Sequence, residues 1–216
     1  MVITDKLQFD VTGSELTGEQ KEQAKSLLSE FQDIFATNAE DLGHTDWVVC
    51  DVKLKPGVKR PIYQRPYPIP HKLRDLVIAE VNKDIQRGIL APNEKTTDSS
   101  PMCCVTRDGL SVRCCTDLRL VNSLCEIERF TAPMVEEIMY KLGRDGVQYL
   151  SCLDIQDAYR CISTTEEASH IFSVQTPCGL MRQNRMPYGY VNAVALFNKL
   201  RSEEHTSELQ SLTNLV

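Results

Sequence analysis

The chain has 216 residues, 42% hydrophobic and 25% charged, an ordinary composition for a soluble globular protein with room for a core in one or two domains. No run of eighteen apolar residues occurs and the N-terminus lacks a basic-then-apolar signal, so nothing points to a membrane or to secretion. The net charge of −6 speaks against a nucleic-acid partner until its distribution is read: residues 1–46 carry −7 and 201–216 carry −2, leaving 47–200 at +3, which permits phosphate contact.

Residues 1–46 read as an acidic helical connector. After a short strand-like piece, Thr17 and Gln20 have capping-box spacing, and Ala24, Leu27, Leu28, Phe31, Ile34 and Phe35 repeat as one apolar helix face that should dock on something. No Asp-Thr/Ser-Gly protease signature is present. From Val48 to Pro70, prolines at 56, 61, 66, 68 and 70 exclude a helix among basic residues. That stretch reads as a solvated linker or an extended lead-in. A helix follows over about 71–87, with Leu73, Val77, Val81 and Ile85 on one side and Gly88 as its stop.

A β-hairpin is expected next, Ser100–Val105 and Val112–Asp117 around Thr106-Arg107-Asp108-Gly109. Thr131-Ala132-Pro133 should open a short helix from Met134 to Leu142, closed by Gly143. From Val147 an apolar, β-favouring run carries Asp154 at its end. A carboxylate there suits either a cap or turn role or a cation platform where loops converge. Ile171–Val174 and Leu180–Arg185 make a second predicted hairpin, before a loop and helix from Met186 to Phe197.

Nine cysteines, an odd number without C-x-x-C spacing, sit mostly in apolar strand-like runs. Buried reduced thiols are the expectation, with Cys103-Cys104 and Cys114-Cys115 facing each other across the first hairpin. Metal or disulfide chemistry in a cysteine-rich module is the alternative.

Leu153-Asp154-Ile155-Gln156-Asp157-Ala158-Tyr159 closely resembles the first catalytic motif of retroviral and LTR-retrotransposon reverse transcriptases. Other segments follow the gypsy-type members of that family in order. Gln64-Arg65-Pro66 through Pro70 resembles the lead-in to the fingers, and Gly88-Ile89-Leu90-Ala91-Pro92 resembles Gly-Ile-Ile-x-Pro. Arg113, Asp117, Arg119 and Asn122 match a fingers motif, and Pro133 through Gly143 a helix before the palm strand. Met186-Pro187-Tyr188-Gly189 through Phe197 resembles the loop and helix under the template base. The departures are Tyr188 for Phe, Val194 for Pro, and a single basic residue, Arg107, before the Asp-Gly turn.

The resemblance implies an α+β fold: the fingers and first part of the palm of a right-hand polymerase over residues 47–200. It implies RNA-directed DNA polymerase (nucleotidyltransferase) activity in a retrotransposon Pol polyprotein, in which a primer 3′-hydroxyl attacks a dNTP with two Mg2+ ions. By the match Asp154 is catalytic, and Asp154 with Ile155 holds metal. The backbone N–H groups of Asp157 and Ala158 cradle the triphosphate, and Tyr159 excludes a 2′-hydroxyl. Arg113 grips phosphate, Arg107 stands near a family lysine that does the same, and Tyr188 and Gly189 lie under the base pair. Implied partners are an RNA or DNA template-primer, dNTP, and the protease, RNase H and integrase of the parent polyprotein, in a cytoplasmic virus-like particle and with no membrane.

Arg201 to Ser211 reads as one frame of a common short-read sequencing adapter, so residues 201–216 are expected to be an artefact, against the alternative of a polar tail. No Asp-Asp pair occurs in the chain, and the family's Tyr-x-Asp-Asp motif is missing. Two-metal chemistry needs several carboxylates to hold cations roughly 4 Å apart. The fragment is therefore expected to be inactive by itself. A non-catalytic remnant of a decayed element is the alternative.

Overall fold

The computed structural model describes residues 2–3, 8–9, 16–38, 40–106, 110–131, 134–144 and 154–207. Two units divide the chain, Met1–Gly43 and His44–Val216.

In the first unit, β1 (Val2–Ile3) pairs antiparallel with β2 (Gln8–Phe9). Helix α1 (Gly18–Glu30) starts on the predicted capping box: Thr17 Oγ1 accepts from the Gln20 amide at 3.3 Å, and Gln20 accepts from the Thr17 amide at 2.9 Å. Its predicted apolar face is only partly covered, with Ala24, Leu28 and Phe35 half-buried. No residue of α1 is buried, and Leu27 and Ile34 are more than half exposed.

The second unit is built on a five-stranded sheet. Strand β3 (Thr45–Cys50) comes first in sequence, followed by α2 (Arg74–Gln86), β4 (Leu90–Pro92), β5 (Ser100–Val105), β6 (Arg113–Thr116), α3 (Arg119–Leu124) and α4 (Val135–Arg144). Then come β7 (Ile162–Thr164), α5 (Glu166–Ile171), β8 (Val174–Thr176), β9 (Gly179–Gln183) and α6 (Ala193–Ser207). The sheet order is β4-β9-β8-β5-β6, antiparallel except where β5 meets β8, and β3 and β7 form a separate parallel pair. Phe172, fully buried, packs edge-on against Tyr190 at 4.9 Å in a core shared with Cys50, Val121, Cys125, Ile162 and Met186.

The proline-rich stretch is no solvated linker. Val48, Cys50, Val52 and Ile62 belong to the core. Proline removes its own N–H, but the amides between the prolines still need partners. Ile62 N–H donates to Asp98 Oδ1 at 2.6 Å and Gln64 N–H to Ser99 O at 2.8 Å, Ser99 N–H returns a bond to Ile62 O at 2.9 Å, and just before Pro56 Lys55 N–H donates to Leu124 O at 2.8 Å. Arg60 also pairs with the fully buried Asp98.

Helix α2 follows its apolar stripe, with Val77 and Val81 buried, although a 3-10 turn at His71–Leu73 precedes it. Gly88 at φ +70° reverses the chain, with Gly88 N–H on Ile85 O and Ile89 N–H on Asp84 O. The first hairpin has the expected register, Cys103 opposite Cys115 and Cys104 opposite Cys114, and every described cysteine is a free thiol. Its tip, with Arg107, lies outside the described residues.

Three predicted boundaries change. Ile171 ends a helix rather than starting a strand: Thr165 caps α5 by accepting from the Ala168 amide at 3.2 Å, and Glu166 and Glu167 suit its N-terminal dipole. Strand β8 begins only at Val174, and β9 stops at Gln183 instead of Arg185. Helix α4 runs through Gly143, which a helix tolerates at about 1 kcal/mol relative to alanine.

Candidate functional site

The run expected to form a strand ending at Asp154 falls within residues 145–153, outside the described set. Asp154 itself is exposed and irregular, and Ile155 beside it is 54% exposed. Two residues later the chain turns on Asp157, whose φ of 47° makes it the only non-glycine residue with positive φ among the described residues. Aspartate tolerates this left-handed conformation better than most side chains. A 3-10 helix, Ala158–Cys161, starts from it, with Arg160 N–H donating to Asp157 O at 2.7 Å. The first amides of such a helix have no carbonyl of their own helix to bond.

Two side chains hold the turn. Arg87, placed by the Gly88 reversal at the end of α2, contacts Asp157 Oδ2 at 2.5 Å, and the Tyr188 hydroxyl donates to Oδ1 at 3.0 Å. Burial disfavours the charged carboxylate, yet these hydrogen bonds together with the Arg160 and Arg87 charges outweigh it, so the carboxyl stays below its ordinary value. Burial first, and then Asp157, pushes the Tyr188 phenol up to about 12.

The surrounding side chains interlock with this clamp. Arg160 donates to both oxygens of buried Asp84, at 3.0 and 3.3 Å, and its guanidinium lies 5.4 Å from the Tyr188 ring centroid. Burial raises the Asp84 carboxyl despite the guanidinium. The Tyr159 ring lies 5.6 Å from Tyr188 and 5.7 Å from Phe197.

Gly189, at φ +84°, turns the loop before α6, and Asn122 pins that loop. Asn122 donates to Gly189 O at 2.8 Å and accepts from the Val191 amide at 3.0 Å. Asn192 fixes the far side by donating to Glu126 O and accepting from the Glu128 amide. In the same motif Asp117 accepts from Arg119 at 2.6 Å and from the Tyr67 hydroxyl at 2.8 Å. Arg119, chiefly, holds the Asp117 carboxyl far below the usual carboxylate range.

The turn thus brings Asp157, Ala158, Tyr159, Tyr188 and Gly189 into one connected cluster. Arg113 stands apart. It is exposed at the start of β6 and makes no hydrogen bond or ion pair with the cluster among the described residues. Its neighbours Cys114 and Thr116 do reach it, lining a cavity of about 40 Å³ with Asp84, Arg160 and Tyr188. Arg87, Asp84 and Arg160 escaped the sequence reading. One signal was available: Asp84 follows Val77 and Val81 on the buried stripe of α2, and a carboxylate there needs a partner.

The unit has the mixed α+β fingers-and-palm architecture of reverse transcriptases. The chain superposes on a foamy viral protease-reverse transcriptase in complex with double-stranded DNA with a TM-score of 0.69, at 19% identity over 91% of this chain and 38% of that one. The same TM-score is found for the foamy viral protein in complex with an RNA/DNA hybrid, at 18% identity over 88% of this chain and 25% of that one.

In sequence the chain is homologous to retroviral and retrotransposon Pol polyproteins. It is 28% identical over 186 residues to the retrovirus-related Pol polyprotein from transposon 412 of Drosophila melanogaster, covering 83% of this chain and 15% of the polyprotein. Against the Gag-Pol polyprotein of feline leukemia virus it is 27% identical over 206 residues, covering 92% and 12%. The chain therefore spans a small part of these relatives. No protein-family model matches it.

Proposed function

We propose that the chain supplies the fingers and first part of the palm of an RNA-directed DNA polymerase from a gypsy-type LTR-retrotransposon Pol polyprotein. The observation that carries this reading is the turn at Asp157. A left-handed residue, clamped by Arg87 and Tyr188, starts a 3-10 helix just after exposed Asp154 and sets Tyr159 against Tyr188.

Each group has chemistry suited to a nucleotide. The first amides of the helix, without a carbonyl of their own helix to bond, suit a triphosphate. The Tyr159 ring, wedged between Tyr188 and Phe197, is held rigidly enough to reject a 2′-hydroxyl by contact. The exposed Arg113 guanidinium, with Arg107, takes phosphate oxygens in its planar fork.

Asp154 and the Ile155 carbonyl offer the hard oxygen donors that Mg2+ prefers, although no three His, Cys, Asp or Glu side chains converge among the described residues. When bound, Mg2+ would neutralise phosphate charge and help activate the primer hydroxyl. One carboxylate does not hold two cations, so the 216-residue chain binds nucleotide and template-primer without extending the primer. In this reading its neighbours in the parent are protease, RNase H and integrase, within a cytoplasmic virus-like particle, and residues 201–216 are adapter-derived.

The test is Mg2+-dependent dTTP binding to the chain on poly(rA)·oligo(dT), followed by fluorescence anisotropy of a labelled primer. Saturable binding that weakens at least tenfold in Asp154→Asn supports the reading. Template-primer binding with no nucleotide dependence would instead mark a non-catalytic remnant, and primer extension would overturn the predicted inactivity.

A further inference from the structure

The β5–β6 hairpin carries four thiols in two facing pairs, Cys103 with Cys115 and Cys104 with Cys114. Side chains alternate along a strand, so the pairs lie on opposite faces. The Cys103–Cys115 face also holds Val105, 59% exposed, and exposed Arg113. The other face holds buried Met102 and half-buried Thr116, and it meets α2, where Cys114 lines the cavity with Val81 and Asp84.

The hydrogen-bond pattern separates the pairs further. Asp117 N–H donates to Pro101 O at 2.9 Å, so Pro101 and Asp117 face each other at a hydrogen-bonded position. Two residues along, Cys103 and Cys115 occupy the next such position. Cys104 and Cys114 therefore occupy a non-hydrogen-bonded one, where Cα atoms approach to about 4.5 Å and side chains come closer. That spacing lies within the range a disulfide spans without moving the backbone.

We propose that Cys104 and Cys114 form a reversible cross-strand disulfide when the chain meets a small-molecule disulfide such as oxidised glutathione. One cysteine, as thiolate, attacks a glutathione sulfur and releases a glutathione thiolate, which takes up the proton lost. The second cysteine then attacks the mixed disulfide and releases a second glutathione. Two thiols are oxidised, one glutathione disulfide is reduced to two glutathione thiols, and no other reactant is needed. Burial, the main cause, raises both thiols above the ordinary cysteine value, so closure is slow at neutral pH and speeds up as pH rises. The bond would tie β5 to β6 one residue beyond Arg113 and beside the Arg160–Tyr188 cavity. A reducing compartment would reopen it.

Trypsin cuts after Lys95, Arg107, Arg113 and Arg119, which puts Cys103 with Cys104 on one peptide and Cys114 with Cys115 on another. Variants must therefore assign the link. The full chain, freed of dithiothreitol and incubated with oxidised glutathione, should yield the two peptides joined and 2 Da lighter than their sum. Cys103→Ser/Cys115→Ser should keep the joined species at full yield, and Cys104→Ser/Cys114→Ser should lose at least nine-tenths of it. The first variant alters only the more exposed face and decides the matter alone: if it forms no joined peptide, or only a glutathione adduct, the proposal is overturned.

Discussion

Replacing Asp157 with asparagine tests whether the turn is held by charge. Asparagine keeps the shape and the tolerance for positive φ, so backbone strain is unchanged. A hydrogen bond to a charged group contributes about 1.5–3 kcal/mol and a neutral one about 0.5–1.5 kcal/mol, so the exchange should cost about 1–2 kcal/mol. The upper half is favoured because Arg87, 11% exposed, would lose its carboxylate, and its Nε has no other partner among the described residues. Asp157→Ala should cost more still, because alanine loses both hydrogen bonds to the turn and the short polar side chain that eases a left-handed backbone. With a slope of about 1–3 kcal/mol/M in urea, Asp157→Asn should lower the unfolding midpoint by about 0.3–2 M. The folded carboxyl is held below its unfolded value, so this contribution is complete above the unfolded pKa, about 4, and is lost as pH falls through the folded one. The gap between parent and Asp157→Asn should therefore close in acid. An Asp157→Asn midpoint equal to the parent's at pH 7, or a gap unchanged in acid, would refute the clamp.

Asn122→Ala removes both bonds that pin the Gly189 loop and should cost about 1–3 kcal/mol in urea unfolding, with faster hydrogen exchange at Val191. Phe172→Ala, at the centre of the core, should cost about 3–5 kcal/mol by the same measurement. His170 tests pH dependence. Burial, then Arg182 and Lys95, keep its imidazole below the ordinary value, while Glu166 opposes them and Arg60 adds to them. The unfolded chain thus binds a proton before the folded one, and stability should fall as pH drops below about 6.5; His170→Asn should flatten that slope.

What the sequence made legible was local. The Thr17–Gln20 box, the α2 stripe and the Gly88 stop each depend on residues within a turn or two, and all appear where spacing put them. The pairing of β5 with β6 was legible as two β-favouring runs close together in sequence. The contacts that shape the site are distant. Arg87 meets Asp157 across 70 positions, Arg160 meets Asp84 across 76, and Asn122 meets Gly189 across 67. No periodicity encodes such pairs. The fold of the proline-rich stretch was hidden for a related reason: its amides bond to Leu124 and Ser99, so composition suggested solvent where tertiary contacts supply a core. Ile171–Phe172 was ambiguous because a short apolar run suits a buried helix end as well as a strand.

The sharpest probe of a nucleotide pocket at Tyr159 is discrimination between a deoxyribonucleotide and a ribonucleotide. Competition of dTTP and UTP for the chain on poly(rA)·oligo(dT) with Mg2+, measured for the parent and for Tyr159→Ala, gives one ratio each. The unsubstituted chain should prefer dTTP at least tenfold, and Tyr159→Ala should bring the ratio close to one with template-primer binding intact. Equal binding of both nucleotides by the parent, or a preference that survives Tyr159→Ala, would contradict such a pocket.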